Sequence, residues 1–322
     1  MPADRTVIVT GISSFVGMHL ARRFAREGFR VVGTISKPRD TYDGIRAARL
    51  NELDSAIKFV ELDTTDAAAV AAVVERFKPS LWLHHAGYAA GYASSDYDSA
   101  LGFAANVVPL THIYKSLAAR DCSVIVTGSS AEYSTTDAAA REDDACFPDM
   151  PYGLSKLAET LRARQLAAQF GVPTRVARVY VPFGALDSPE KLLAQVVEGL
   201  RRNTLVDLSS CTQARDFLGI SDLCDAYVAV HNDMQRTPFD IFNICSGEAT
   251  PLRDLLLRIA MIMEADPALL RFGVRPARPG DPPAMFGSND KARRILGWKP
   301  AKLADALSRD LLDPAAADSA KR

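Results

Sequence analysis

An open, doubly wound parallel α/β sheet carrying a smaller carboxyl-terminal lobe is the fold class this sequence predicts. Through Val179, short apolar runs alternate with helix-like stretches, the punctuation of repeated strand-helix-strand units. A glycine-bearing turn, VIVTGISSFVG at residues 7 to 17, joins the first such strand to its helix. Beyond Pro182 and Gly184 the rhythm changes: proline and glycine become frequent in PFGALDSP, RPARPGDPP and GWKP, which predicts longer loops.

The elements follow in order. Val7, Ile8 and Val9 read as a buried strand entering Gly11; HLARRFAREG is helical, RVVGTI is the second strand, AAAVAAVVERF a helix and SLWLHHAG a strand. A helix is expected from Asn106 to Ala119, then the strand SVIVTGSS, a helix from Tyr152 to Phe170 ended by Gly171, and a strand from Thr174 to Val179. The expected organisation is a sheet domain over 1–178, to which a segment of about 216–246 returns, and a second lobe made mainly of 179–322.

Composition narrows the function classes. With 322 residues, 48% hydrophobic and 24% charged, the chain can bury a full core. A formal net charge of -1 offers no electrostatic footprint for nucleic acid or an anionic membrane, and favours a small-molecule partner. The five cysteines are odd in number and never fall in a C-x-x-C pair, which argues against a disulfide framework or a zinc site; they read as reduced cytoplasmic thiols. No apolar run approaches the roughly 20 residues of a membrane span, and MPADR leads straight into the first strand, so neither export nor anchoring is expected. The tail DPAAADSAKR is small and polar and is expected to fray.

The opening turn resembles a dinucleotide-binding turn with one glycine missing. In that fingerprint the first glycine allows the tight turn, the second lets the pyrophosphate approach backbone, and the third lets helix pack on strand. Gly11 and Gly17 keep the first and third roles; Ser14 stands in the middle, where its hydroxyl is able to bond a phosphate oxygen beside the helix N-terminus. By itself the turn is equally a plain strand-to-helix connection. The second chemical feature is MPYGLSKLAET at 150 to 160, in which Tyr152 and Lys156 are four apart and share a helix face. A phenol with pKa about 10 is a poor proton donor or acceptor at neutral pH, and a neighbouring ammonium brings it toward useful range. On a solvated helix the same pair is incidental. Upstream, SVIVTGSSAEY puts Ser129 and Ser130 at the end of a buried strand, where a hydroxyl can hold a substrate oxygen.

Taken in this order, the motifs resemble an extended short-chain dehydrogenase/reductase of the nucleotide-sugar epimerase/dehydratase type, over nearly the whole chain. The resemblance implies a Rossmann-type sheet, with Gly11, Ser13, Ser14, Phe15, Val16 and Gly17 around the cofactor pyrophosphate and Asp63 and Thr64 in FVELDTTD near adenine. It makes His85, Ala86 and Gly87 of HHAG a cofactor-lining loop and Asn106 a structural asparagine. It implies that Ser130 orients the sugar oxygen, Tyr152 exchanges the proton, and Lys156 holds the nicotinamide ribose and lowers the tyrosine pKa. ARDFLGISDLCDAY, with Arg215, Asp216 and Asp222, FNICSG, RPGD with Arg278 and Asp281, and NDKARRILGWKP complete the pattern. Ser129, Ser130, Arg215, Arg278 and Asp281 are then substrate contacts, the two arginines clamping the sugar diphosphate as charge-assisted forks. One departure stands out: Val181 occupies the place of the family's asparagine after the sixth strand. The family pattern also implies a homodimer through the helix bearing Tyr152 and the one before it.

Cofactor and reaction type are then argued from the residues. An NAD site calls for Asp or Glu at the end of the second strand, whereas RVVGTISKPRD offers Ser36, Lys37 and Arg39 before its first acid, Asp40, so NADP(H) is expected over NAD(H). Glu132, in Ser130-Ala131-Glu132, stands where a dehydratase would place its proton-abstracting glutamate, but Ala131 leaves the adjoining position without a polar group. GSSAEY looks most like the 4-ketoreductases of deoxysugar pathways. The first reading is therefore NADPH-dependent reduction of a nucleotide-linked 4-keto-6-deoxysugar, the alternatives being a 4-epimerase with tightly held NAD, a 4,6-dehydratase, and a nucleotide-sensing protein without turnover.

Overall fold

The computed structural model describes residues 5–53, 55–135, 137–278 and 280–312. Pro279 of the RPGD motif and the tail DPAAADSAKR lie outside the described residues.

Seven strands form one parallel sheet: β1 (Thr6–Val9), β2 (Arg30–Ile35), β3 (Lys58–Glu61), β4 (Leu81–His84), β5 (Ser123–Ser129), β6 (Thr174–Val179) and β7 (Phe239–Ile244). They lie in the order β7-β6-β5-β4-β1-β2-β3. Strand order reverses between β1 and β4, and such a switch point opens a crevice at the strands' carboxyl ends. Every sequence-expected strand of this half is present, because each is an apolar run buried on both faces. Alternation sorts the side chains: Val7, Val9, Leu81, Leu83 and Ile125 enter one core layer, while Ile8, Trp82, Val124 and Val126 enter the other.

Helices cover both faces. The first layer packs against α1 (Phe15–Arg26) and later α8 (Ile220–Asn232). Between these in sequence come α2 (Gly44–Asn51), α3 (Ala67–Phe77), α4 (Ser99–Asn106), α5 (Val108–Leu117), α6 (Pro151–Phe170) and α7 (Leu192–Arg201). The helix expected from Asn106 to Ala119 is present as α5, two residues shorter at each end, and a further helix, α4, precedes it. Val107 ends α4, and Pro109 sits in the first turn of α5, where its missing N–H costs no ladder bond. By contrast, α6 opens with Pro151 and stops at Gly171 in the left-handed region, as its sequence requires.

A third core, with Phe183, Val196, Leu200, Leu255, Ile259 and Leu307, belongs to the carboxyl-terminal lobe. It is built on α7 and α9 (Leu252–Ile262) and on short ribbons, among them Ala214–Arg215 between Thr250–Pro251 and Ala284–Met285. Asp216 ties this lobe to the sheet end. Fully buried, it accepts hydrogen bonds from Ser246 N and Oγ and from the Gly247 and Gly287 amides. No helix among the described residues is long and apolar enough to cross a membrane.

Candidate active site

The crevice is assembled from five carboxyl-terminal strand ends and two helix starts. At the end of β1, Gly11 takes φ +72°, a conformation glycine adopts without strain, and a Cβ there would lie 3.1 Å from the Ala86 Cα beyond β4. A Cβ on Gly17 would come within 2.4 Å of the Gly11 carbonyl oxygen, so only glycine lets α1 start this close to β1. Ser14 caps α1, its hydroxyl accepting from the Gly17 amide at 3.0 Å. The Phe15 and Val16 amides, in the helix's first turn, precede its own hydrogen-bond ladder. This cradle fits a dinucleotide pyrophosphate.

Two further loops hold the rest of the expected cofactor groove. Thr10 Oγ1 accepts from the His85 and Ala86 amides at 2.9 and 2.8 Å, which pins the HHAG loop to β1. Asn106, buried, accepts from the Tyr88 amide at 2.7 Å and donates to Ser155 Oγ at 3.1 Å. It fastens the loop after β4 to α6, leaving Gly87 exposed in the groove. Asp63 is exposed past β3, with one carboxylate oxygen accepting from Thr65 N and Oγ1; those bonds lower its pKa. Thr64 adjoins it. Arg49 was not legible as part of the site. Buried, it donates to the Ser13 and Leu186 carbonyls and so fastens the glycine turn to the second lobe.

At the end of β2, the two cations expected at a 2′-phosphate have partners of their own. Lys37 donates to the Thr41 carbonyl at 2.8 Å and lies over the Tyr42 ring; Arg39 donates to the Leu50 carbonyl at 3.0 Å and lies over Phe59. Ser36 faces the Tyr42 hydroxyl. Lys37 is engaged within its own loop and Arg39 by α2 and β3, contacts that sequence spacing does not reveal.

Tyr152 stands in the first turn of α6, where the Ser129 side chain is near enough to its hydroxyl to pull the pKa down. The rings of Tyr92 and Tyr97 meet it edge-on at 5.8 and 5.7 Å, so the loop of 91–98, opaque in sequence, walls the site with aromatic surface. Ser130 turns the other way and donates to Met285 Sδ at 3.5 Å across the mouth of the second lobe. Ser129 is therefore the hydroxyl beside Tyr152. Burial raises the Tyr152 pKa, and the pulls of Lys156 and Ser129 do not reverse that.

The reason lies beneath. Lys156 Nζ is buried and bonded to Glu159 Oε2, and His84 Nε2 stands 3.5 Å from the other oxygen of Glu159. Burial opposes the Lys156 charge, but the Glu159 carboxylate outweighs it and keeps the ammonium protonated. Glu159 itself is pushed up to about 7 by burial. Glu132, the possible acid/base, does not face the crevice. It is fully buried, accepting from Ser129 N at 2.8 Å, Thr160 Oγ1 at 2.9 Å and Arg178 Nε at 2.8 Å. Among the expected diphosphate ligands, Arg215 is paired with Asp281 at 2.5 Å and donates to the Pro282 carbonyl, while Arg278 is exposed on the following loop.

A glycine turn at a switch point, with a tyrosine, lysine and serine at the adjoining strand end, defines a dinucleotide-dependent enzyme of the extended short-chain dehydrogenase/reductase class. Residues 7–245 match the NAD dependent epimerase/dehydratase family, and the chain belongs to that family. It is 27% identical to a UDP-glucose 4-epimerase of Azospirillum brasilense, over 92% of this chain and 88% of that one. With a UDP-glucose 4-epimerase of Cyamopsis tetragonoloba it shares 24% identity over 96% of this chain and 94% of the other. A UDP-glucuronic acid 4-epimerase from Bacillus cereus, solved with UDP-glucuronic acid and NAD, superposes with a TM-score of 0.82 at 20% identity, covering 95% and 97% of the two chains. These relatives overturn the expectation of a 4-ketoreductase: the curated proteins named here, matched over nearly full length, are 4-epimerases, and GSSAEY, a six-residue likeness, does not outweigh them.

Proposed function

We propose that this chain is a nucleotide-sugar 4-epimerase that holds NAD(H) and inverts the hydroxyl at C4 of a UDP-hexose or a related UDP-sugar. The observation that carries the reading is the near full-length likeness to UDP-glucose 4-epimerases. The geometry is compatible with it. Glu132 is locked on Arg178, which disfavours a dehydratase, and Lys37 and Arg39 have partners of their own, which favours NAD(H) over NADP(H).

Gly11, Ser13, Ser14, Phe15, Val16 and Gly17 hold the pyrophosphate, Asp63 and Thr64 the adenine side, His85, Ala86 and Gly87 the nicotinamide side, and Lys156 its ribose. A bound nicotinamide supplies the two-electron redox partner for C4. Tyr152 takes the proton of the C4 hydroxyl and later returns it, Ser129 orients that oxygen, and the Lys156 charge favours the phenolate that the first step needs. Burial keeps the phenol protonated at rest, and the nearby Glu159 carboxylate adds to that against the pull of Lys156. Ser130 contacts the sugar-nucleotide from the end of β5, and Arg215, Arg278 and Asp281 from the second lobe.

The same reading includes a homodimer. Leu101, Val108, Leu154 and Leu161 are 50 to 55% exposed along α4, α5 and α6, an apolar face that a second copy would cover.

The test is incubation of purified protein and NAD with UDP-glucose, UDP-galactose and UDP-glucuronic acid, products resolved by proton NMR. The expected result is the C4 epimer with no net change in nicotinamide oxidation state. Stoichiometric NADPH consumption on a 4-keto sugar, or release of a 4-keto-6-deoxy product, overturns the reading.

A further inference from the structure

Four side chains run in line from the core to the turn before α1. Tyr227, on α8, is fully buried, and its hydroxyl lies 2.8 Å from Thr127 Oγ1 on β5. Thr127 Oγ1 is 3.1 Å from His85 Nδ1, and His85 Nε2 is 3.0 Å from Ser14 Oγ. Ser14 Oγ also accepts from the Gly17 amide.

Counting protons decides which way these bonds point. A buried phenol proton needs an acceptor, and among the described residues Thr127 Oγ1 is the one placed to take it. Thr127 then gives its own proton to His85 Nδ1. The imidazole is neutral, held at about 4 by burial and by the charge of Lys156, so with Nδ1 accepting, its single proton sits on Nε2 and is donated to Ser14. Ser14 Oγ now accepts twice, from His85 and from Gly17, and its own proton is left to point elsewhere. The opposite polarity strands the Tyr227 proton in the core and consumes the Ser14 proton on His85.

The Ser14 hydroxyl stands at the cap of α1 beside the Phe15 and Val16 amides. We infer that Tyr227, Thr127 and His85 form a positioning relay that orients the Ser14 hydroxyl as a donor to the dinucleotide pyrophosphate, replacing with a side chain what the absent middle glycine provides with backbone. The inference rests on the dinucleotide reading above. It also explains why a serine with a committed backbone bond remains useful at this position: with its proton on Nε2, His85 offers no acceptor that would draw the hydroxyl proton inward.

The experiment is calorimetric titration of the full chain with ADP-ribose, which carries the pyrophosphate, and with AMP, which does not. His85→Phe and Tyr227→Phe should weaken ADP-ribose binding by about fivefold or more and AMP binding by less than about twofold. Ser14→Gly should restore the backbone route, so that His85→Phe added to it has no further effect. Should His85→Phe fail to fold, as judged by circular dichroism, Thr127→Val cuts the relay at its second link and carries the same expectation. ADP-ribose affinity within about twofold of wild type in the folded variants, or an equal loss from His85→Phe with and without Ser14→Gly, overturns the relay and leaves the dinucleotide reading standing. Wild-type protein that binds neither ADP-ribose nor NAD overturns both.

Discussion

Glu132 and Tyr152 show how much one side chain's surroundings decide. Both belong to motifs that suggest proton transfer, yet one carboxylate is sealed in the core with Arg178, whose guanidinium also stacks on Tyr133, while the phenol opens on the crevice beside Ser129. Removing one partner of a buried ion pair leaves the other charge unpaired, so Glu132→Gln should cost roughly 3 kcal/mol in a urea unfolding titration. The folded remainder should keep most of its turnover. Tyr152→Phe should do the reverse: stability nearly unchanged, dinucleotide binding retained, and turnover down by roughly a hundred- to ten-thousand-fold. A Glu132→Gln protein that is stable but inactive would return that carboxylate to the chemistry.

The strand-to-helix turn of β1 and α1 is the element on which the cofactor site depends. Its closeness is set by Gly17, because any Cβ there meets the Gly11 carbonyl carbon at 3.0 Å and its oxygen closer still. Backbone cannot yield as a flexible side chain can, so Gly17→Ala should destabilise the fold by about 1 to 3 kcal/mol and abolish dinucleotide binding before unfolding is reached. Calorimetry beside a thermal melt separates the two effects. Gly28 makes a useful contrast. Its φ of +79° also favours glycine, but a Cβ there meets nothing within 4 Å, so Gly28→Ala should cost stability through backbone strain alone and leave binding intact.

At the scale of the whole molecule, buried titratable groups couple the fold to pH. Burial holds His19, His84 and His85 at about 4, 3 and 4, well below an unfolded histidine. Between pH 7 and 5 the unfolded chain therefore takes up protons that the native protein refuses, and stability falls as pH falls. Glu159 and Asp216 act oppositely, since burial raises them to about 7 and 6 and the native state binds their protons more tightly. Three histidines displaced by two units or more outweigh two carboxyls, so stability should drop by on the order of 2 kcal/mol from pH 7 to pH 5. Urea midpoints at the two pH values check it, and a rise toward pH 5 would show that the carboxyls dominate. The apolar face of α4, α5 and α6 makes a second prediction at this scale. Light scattering should give a dimer, and Leu161→Glu a monomer.

What the sequence determined by itself was what periodicity and local chemistry encode: strands as apolar runs, α6 between Pro151 and Gly171, the glycine turn, and the Tyr152, Lys156 pair. These depend on neighbours within a few residues along the chain. The helix α5 was legible too, with its proline at Pro109, whereas α4 just before it was not. What only the tertiary structure decided was where charged and polar groups find partners from distant segments. Glu159 takes His84 from β4; Glu132 closes on Arg178; Arg39 reaches Leu50 and the Phe59 ring; Arg215 takes Asp281; and Ser14 meets His85 from the end of β4. A polar side chain's role is set by which acceptors and donors surround it once water is excluded, and those arrive from strands far apart in sequence but adjacent in the sheet.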